Sequence, residues 1–211
     1  MLRLKHIYII CFVSCLHAFG PAAHSQNADI NILKSINPQY PRAGFWKTTT
    51  DSYLLFPGTA AFGTLVYSLI KNDKALRYKS YELMIAIGIN TVATDGLKAI
   101  FNRRRPADQY PNDVFVLTTS TGHSFPSGHT SLAFATATSL TLTHKKWQVA
   151  VPAYFWAGCM GYSRMYLGKH YPSDVLGGAV VGAGSALVSH WLNRKMFPQK
   201  QVENQNIQPG F

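Results

Sequence analysis

Five apolar segments, near residues 52–70, 83–101, 128–143, 148–162 and 175–192, occupy most of the chain and leave only short connections between them. Each is long enough for a helix, and each is rich in small residues, Thr and Ser, with none of the strict apolar–polar alternation of a half-buried strand. Short connections make neighbouring helices antiparallel, so the expected fold is an all-α bundle of five to six helices. No Gly-rich linker, low-complexity tract or internal repeat divides it. Charged residues make up only 14% of the sequence and apolar residues 47%. That balance excludes an intrinsically disordered chain, which needs low hydrophobicity and high charge.

Whether these helices span a membrane turns on where the charges lie. None is an unbroken apolar run, because Pro57, Asn90, Asp95, Lys98 and His190 interrupt them. The basic residues are nevertheless placed suggestively. Lys71, Lys74, Arg77 and Lys79 fall between the first two segments, Lys145 and Lys146 between the third and fourth, and Arg194, Lys195 and Lys200 after the fifth. If every segment spans, all three groups face one side, as the positive-inside rule requires of the cytoplasmic face. The opposite side carries as many basic residues, but most of those fall within the chemical motifs described below. A transmembrane bundle in an inner membrane is the expected architecture, with a soluble periplasmic bundle as the alternative. Gly177, Gly178, Gly182 and Gly184 suit the close approach of spans.

Residues 1–25 are expected to be a signal peptide or an uncleaved anchor. Arg3, Lys5 and His6 precede the apolar run from Ile7 to Phe19, and Ala23-His24-Ser25 offers a cleavage site before Gln26. Thirteen apolar residues fall short of the about 20 that a span needs. After this come a weakly amphipathic periplasmic segment, 26–51, a helical domain, 52–193, and a polar tail, 194–211. Cys11, Cys15 and Cys159 cannot build a disulfide framework or a zinc ribbon. The formal charge of +11 points to an anionic partner, although export and buried cations disfavour nucleic acid.

Three clusters carry chemistry. Lys98 and Arg105 are seven residues apart, about two helical turns, so both project from one face of the second segment, and Pro106 then ends or redirects the chain. Taken alone, Arg103-Arg104-Arg105 reads as a solvated interfacial charge run. Lys98 does not, because an ionisable group inside an apolar segment usually faces a site. The second cluster, His123-Ser124-Phe125-Pro126-Ser127-Gly128-His129, opens the third segment with helix-start signals. Ser127 and Gly128 there are expected to offer free backbone N–H groups to an anion. The third cluster is Ser163-Arg164 followed by His170 and Asp174, an imidazole and a carboxylate four apart around a Pro-initiated helix start. If the turn folds back, the carboxylate fixes the ring's tautomer and raises its basicity. A metal site on His123, His129, His170 and Asp174 is the rival reading, opposed by the cations nearby.

Together the clusters resemble the signature of the phosphatidic acid phosphatase type 2 superfamily: Lys-x6-Arg-Pro, Pro-Ser-Gly-His and Ser-Arg-x5-His-x3-Asp. Lys98 to Pro106, Pro126 to His129, and Ser163 to Asp174 match it without substitution, and the likeness extends over about residues 50–193. The apolar run around Ser163–Asp174 looks like the membrane lipid phosphatase branch. The resemblance implies that His170 is the nucleophile, forming a phosphohistidine. It makes Asp174 its orienting partner and His129 the general acid and then base. Lys98, Arg105, Arg164, the Ser127 hydroxyl and the Gly128 N–H would hold the phosphate oxygens, with no metal or other cofactor required. The implied substrate is a phospholipid or isoprenoid phosphate or diphosphate, reached at the periplasmic side of the membrane. A soluble acid phosphatase and a vanadate-dependent haloperoxidase are the alternative enzymes, and a non-enzymatic envelope protein is the remaining one. In the 107–125 loop, Asp108, Tyr110 and Asp113 read as solvated residues and His123 as a possible substrate contact. No residue pattern bears on oligomeric state.

Overall fold

A computed structural model describes residues 23–42 and 44–197, all helix and connecting loop. The expected signal peptide falls almost wholly outside these residues, as does the tail beyond residue 197. The helices are α1 (Ala23–Ile36), α2 (Gly44–Asp51), α3 (Leu55–Gly58), a π-helical turn (Thr59–Gly63), α4 (Thr64–Ile70), α5 (Lys74–Phe101), α6 (Pro106–Gln109), α7 (Gly128–His144), α8 (Trp147–Tyr166) and α9 (Pro172–Met196).

Each of the five apolar segments is a helix or part of one, and the boundaries differ where local chemistry extends them. The first rod begins at Gly44, inside the stretch expected to be an amphipathic lead-in, and runs to Ile70. Aromatic packing explains the extension: the Trp46 ring lies 4.6 Å from that of Tyr162 and 5.8 Å from that of Tyr166 on α8. The second helix starts at Lys74 because the Asp73 carboxylate accepts the Leu76 N–H at 2.9 Å, a side-chain cap on an otherwise orphaned donor. It ends at Asn102 in the left-handed region, φ 44°, which Asn tolerates better than most residues.

Gly44–Ile70, Lys74–Gln109 and Pro172–Met196 are each long and apolar enough to cross a membrane. They expose Leu55, Phe62, Val66, Val92, Ile100, Leu176, Val180 and Trp191, an apolar outer belt that suits lipid rather than water. The third segment, α7, is 17 residues long and lies between α5, α8 and α9. Its Thr130, Ser131, Thr136 and Ser139 are buried against those neighbours. Two glycines permit the closest contact. A Cβ on Gly178 would sit 2.6 Å from the Ser127 carbonyl oxygen, and one on Gly182 would collide with that of Ser131, so α9 meets the α7 backbone only without side chains. Gly184 faces open space and plays no part in this contact.

The antiparallel order places the ends of α5 and α8 and the starts of α7 and α9 at one end of the bundle. Lys71, Lys145 and Lys146 in the connections, Lys74 at the start of α5, and Arg194 and Lys195 in the last turn of α9 lie at the other. Over the first end runs α1, whose Ile30 and Leu33 pack with Val114 and Tyr171. Just beyond it, the Asn37 side chain donates to the Phe115 and Tyr166 carbonyls at 2.9 and 2.8 Å and accepts the Phe115 N–H at 2.8 Å.

Candidate active site

His170 sits in the turn between α8 and α9, 2% exposed. Its Nδ1 faces Asp174 Oδ2 at 3.6 Å and Ser124 Oγ at 3.4 Å, while its Nε2 lies 3.4 Å from Arg105 Nη1. A guanidinium only donates, so the nitrogen facing it is the one with the lone pair, and Nδ1 carries the hydrogen toward the carboxylate. Burial pushes the His170 imidazole down to about 4, with Asp174 acting against that and Arg164 and Arg105 adding to it. The ring is therefore neutral at pH 7, and its Nε2 lone pair faces the Arg105 guanidinium.

Local sequence explains the placement of Asp174. Tyr171 precedes the first turn of α9, Pro172 opens it, and Asp174 reaches back to accept the Tyr171 N–H at 2.9 Å, the acidic half of a capping box. Asp174 is fully buried. Its Oδ2 also accepts the Ser124 hydroxyl at 2.5 Å, and its Oδ1 accepts Arg103 Nη1 at 2.7 Å.

The remaining cations converge on the same end. Arg105 donates to the Gly122, Thr121 and Lys169 carbonyls at 3.0, 3.0 and 3.1 Å. Lys98 donates to the His123 carbonyl at 2.8 Å, and its side chain passes beside Gly128. Among the described residues the Arg164 side chain, on a residue 5% exposed, hydrogen-bonds to the Thr50 hydroxyl alone, at 3.4 Å, and its buried Nε has no hydrogen-bond partner. Among the described residues none of these three cations is within 4.0 Å of a carboxylate oxygen. Lys169, also buried, donates to the carbonyl and hydroxyl of Thr118. Burial, then Arg164 and Arg105, lower its ammonium to about 8, a measure of how crowded the positive charge is. His129, in the first turn of α7, stacks on Tyr53 with ring centroids 4.0 Å apart, and burial, then Arg164, His170, Arg105 and Lys98, hold its imidazole well below the ordinary range.

Two expectations need correction. The Ser127 N–H is not free: it donates to the Asp174 carbonyl at 3.0 Å, and the buried Ser127 hydroxyl pairs with Thr130 at 2.9 Å. The close α7–α9 approach at Gly178 brings that carbonyl within reach. Gly128, as the first residue of α7, keeps an N–H with no intrahelical partner. Arg103 is not a solvated charge, since it forms ion pairs with both Asp29 and Asp174. His123 is exposed, with its carbonyl rather than its ring tied to Lys98. Asp113 pairs with Lys34 at the surface, at 2.8 Å. Among the described residues no group of three or more His, Cys, Asp or Glu side chains gathers to hold a metal. The sequence offers no local signal for Ser124, Arg103, Asp29, Thr50 or Tyr53, each of which acts across distant chain positions.

A family model described as the PAP2 superfamily matches residues 80–197. The chain belongs to that superfamily. An undecaprenyl-diphosphatase of Sulfolobus acidocaldarius is 30% identical over 168 residues, which is 79% of this chain and 72% of that one. A lipid A 4'-phosphatase of Bacteroides thetaiotaomicron is 26% identical over 67% of each chain. Among solved structures, LpxE of Aquifex aeolicus superimposes with a TM-score of 0.63 at 31% identity, over 77% of this chain and 94% of that one. The fold is also that of a transmembrane PAP2-type phosphatidylglycerolphosphate phosphatase of Bacillus subtilis, with a TM-score of 0.68 over 91% of this chain and 97% of that one. As a PAP2 protein with three apolar helices of spanning length, this chain is a membrane phosphatase.

Proposed function

We propose that this PAP2 protein hydrolyses a lipid phosphate or diphosphate through a phosphohistidine, on the non-cytoplasmic side of the membrane. The observation that carries the reading is a buried, neutral imidazole whose Nε2 lone pair meets a guanidinium and whose other nitrogen faces a carboxylate. His170 Nε2 attacks phosphorus as the ester or anhydride oxygen departs, and His129, neutral among the cations alone and protonated once the phosphate's negative charge joins them, gives that oxygen its proton. Water, deprotonated by His129, then attacks the phosphohistidine, releasing phosphate and restoring neutral His170. Asp174 holds the Nδ1–H tautomer and stabilises the charge that the ring acquires.

Lys98, Arg105 and Arg164, with the Gly128 N–H, hold the non-bridging oxygens. Their partners among the described residues are neutral carbonyls, a hydroxyl and the neutral His170 ring, and the Arg164 Nε, unpartnered among those residues, supports an anion as the missing acceptor. Phosphoryl transfer asks chiefly for positioning and charge stabilisation, which these donors supply. The exposed His123 ring at the rim is placed to meet the rest of the substrate. Basic connections at the opposite end of the bundle support a site facing away from the cytoplasm, and lipid-named relatives support a lipid substrate.

The test is phosphate release by the purified protein from phosphatidic acid, phosphatidylglycerophosphate, undecaprenyl diphosphate and lipid A, with His170→Ala as control. Brief reaction with labelled substrate should trap an acid-labile phosphoenzyme in the wild type and none in the variant. Orthovanadate should inhibit, because it mimics five-coordinate phosphorus. An active His170→Ala protein, or insensitivity to millimolar vanadate, overturns the mechanism.

A further inference from the structure

Arg103 lies between the two residues of the Lys-x6-Arg motif that the proposed chemistry uses, yet it makes more charged contacts than either. Its Nη1 donates to Asp174 Oδ1 at 2.7 Å and Ser173 Oγ at 2.6 Å, and its Nη2 to Asp29 Oδ2 at 2.6 Å. The guanidinium carbon sits 4.0 Å above the centre of the Tyr171 ring. Asp29, on α1, is itself buried. It accepts the Ser173 N–H at 2.9 Å and the Ser173 hydroxyl, so α1 grips the first turn of α9 directly and through Arg103.

This arrangement divides the Asp174 carboxylate between two tasks. Oδ2 faces His170, while Oδ1 is occupied by Arg103 alone among the described side chains. Without Arg103 a fully buried oxygen loses its charge-assisted partner, and the carboxylate is free to turn about its last bond. The tautomer and aim of His170 then lose their reference. Without Asp29, Arg103 keeps its bond to Asp174 but loses the charge that fixes its far nitrogen.

We propose that Asp29 and Arg103 are positioning residues that hold Asp174 in register with His170, so that α1 belongs to the working site although the family match starts at residue 80. The inference rests on the phosphohistidine reading, because it assigns Asp29 and Arg103 an effect only through the Asp174–His170 pair.

The experiment measures kcat and KM of the full chain in detergent micelles, with farnesyl diphosphate and dioctanoyl phosphatidic acid as probes. It compares Asp29→Asn, Arg103→Gln, their double variant, Arg103→Ala and His170→Ala. Arg103→Gln should lower kcat by about 10- to 100-fold with KM within about twofold of wild type, since the binding cations are untouched. Asp29→Asn should lower kcat less. The double variant should be no slower than Arg103→Gln, because both act along one chain of contacts. Added guanidinium should recover part of the kcat of Arg103→Ala, a response that a general packing role would not give. Unchanged kcat in both single variants, losses that multiply in the double variant, or losses that track a fall in folded protein by size exclusion would overturn the inference. Activity in His170→Ala would instead remove the phosphohistidine reading itself.

Discussion

The bundle buries charged side chains at both ends, and the two clusters are built on opposite principles. At the far end, between α5 and α9, Glu82 is 3% exposed. It meets His190 Nδ1 at 2.8 Å and Asn193 Nδ2 at 3.0 Å, while the Ser189 hydroxyl donates to its backbone carbonyl at 2.6 Å. Both Glu82 carboxylate oxygens are partnered within the protein, so its charge is matched there and ties two helices, although among the described residues the buried Asn193 Oδ1 has no hydrogen-bond partner. At the site end Asp174 is just as fully bonded, but among the described residues the side-chain partners of Lys98, Arg105 and Arg164 are neutral oxygens and the His170 ring, with no carboxylate. Buried charge is costly unless paired, and in the proposed function an anionic substrate supplies the partner of this positive cluster. Completeness of pairing, more than burial, separates a structural polar cluster from a binding one.

The largest expected difference between the two ends is catalytic. His170→Ala should reduce phosphate release by at least about 1,000-fold and leave the melting profile of the detergent-solubilised protein in place. Glu82→Gln should leave kcat within about twofold. Comparable losses in the two variants, measured on equal amounts of folded protein, would erase the distinction. Next in size, Arg164→Ala removes a buried donor aimed at developing charge and should lower kcat by about 100- to 1,000-fold. The same substitution should abolish any rise in melting temperature produced by orthovanadate, since a ligand stabilises only the state that binds it.

The pH profile draws the contrast more finely. In the proposed mechanism His170 acts as the neutral ring, and burial holds it at about 4, so kcat/KM should persist down to pH 5 and fall as pH approaches 4. A fall centred near about 6.5, the ordinary imidazole value, would show that the ring is exposed to solvent. Stability carries the same sign. Between about 6.5 and about 4 the unfolded chain binds a proton at this residue and the folded chain does not, so each step down in pH favours unfolding. His170→Gln should flatten that slope in a pH series of melting curves. The smallest effect belongs to the far cluster: Glu82→Gln keeps most of the hydrogen bonds and should cost about 1–3 kcal/mol of stability, read by thermal or denaturant unfolding.

Much of the fold and of the site is legible in the residue order. Helix class follows from segment length and the absence of alternation, and the three chemical clusters follow from spacings within one or two helical turns. Lys98 and Arg105 are not on one helix face as their spacing suggests, since α5 ends at Phe101 and Arg105 lies in the extended link before α6; His170 and Asp174 share one turn, and Gly128 begins a helix. Helix limits are less legible. The start of the first rod at Gly44 depends on Trp46 meeting α8, and α7 tolerates its Ser and Thr because other helices cover them. Ser127 reads locally as offering a free N–H, since nothing near it in the chain shows that Asp174 supplies an acceptor from another helix.

The amino-acid order thus fixes which groups carry chemistry and on which helix ends they sit, because capping, periodicity and motif spacing act over a few residues. How their charges are paired is set only by packing. Asp29 reaches Arg103 across 74 positions and Ser124 reaches Asp174 across 50. Contacts at that separation exist only after helices pack, when the desolvation of a buried charge makes its choice of partner decisive.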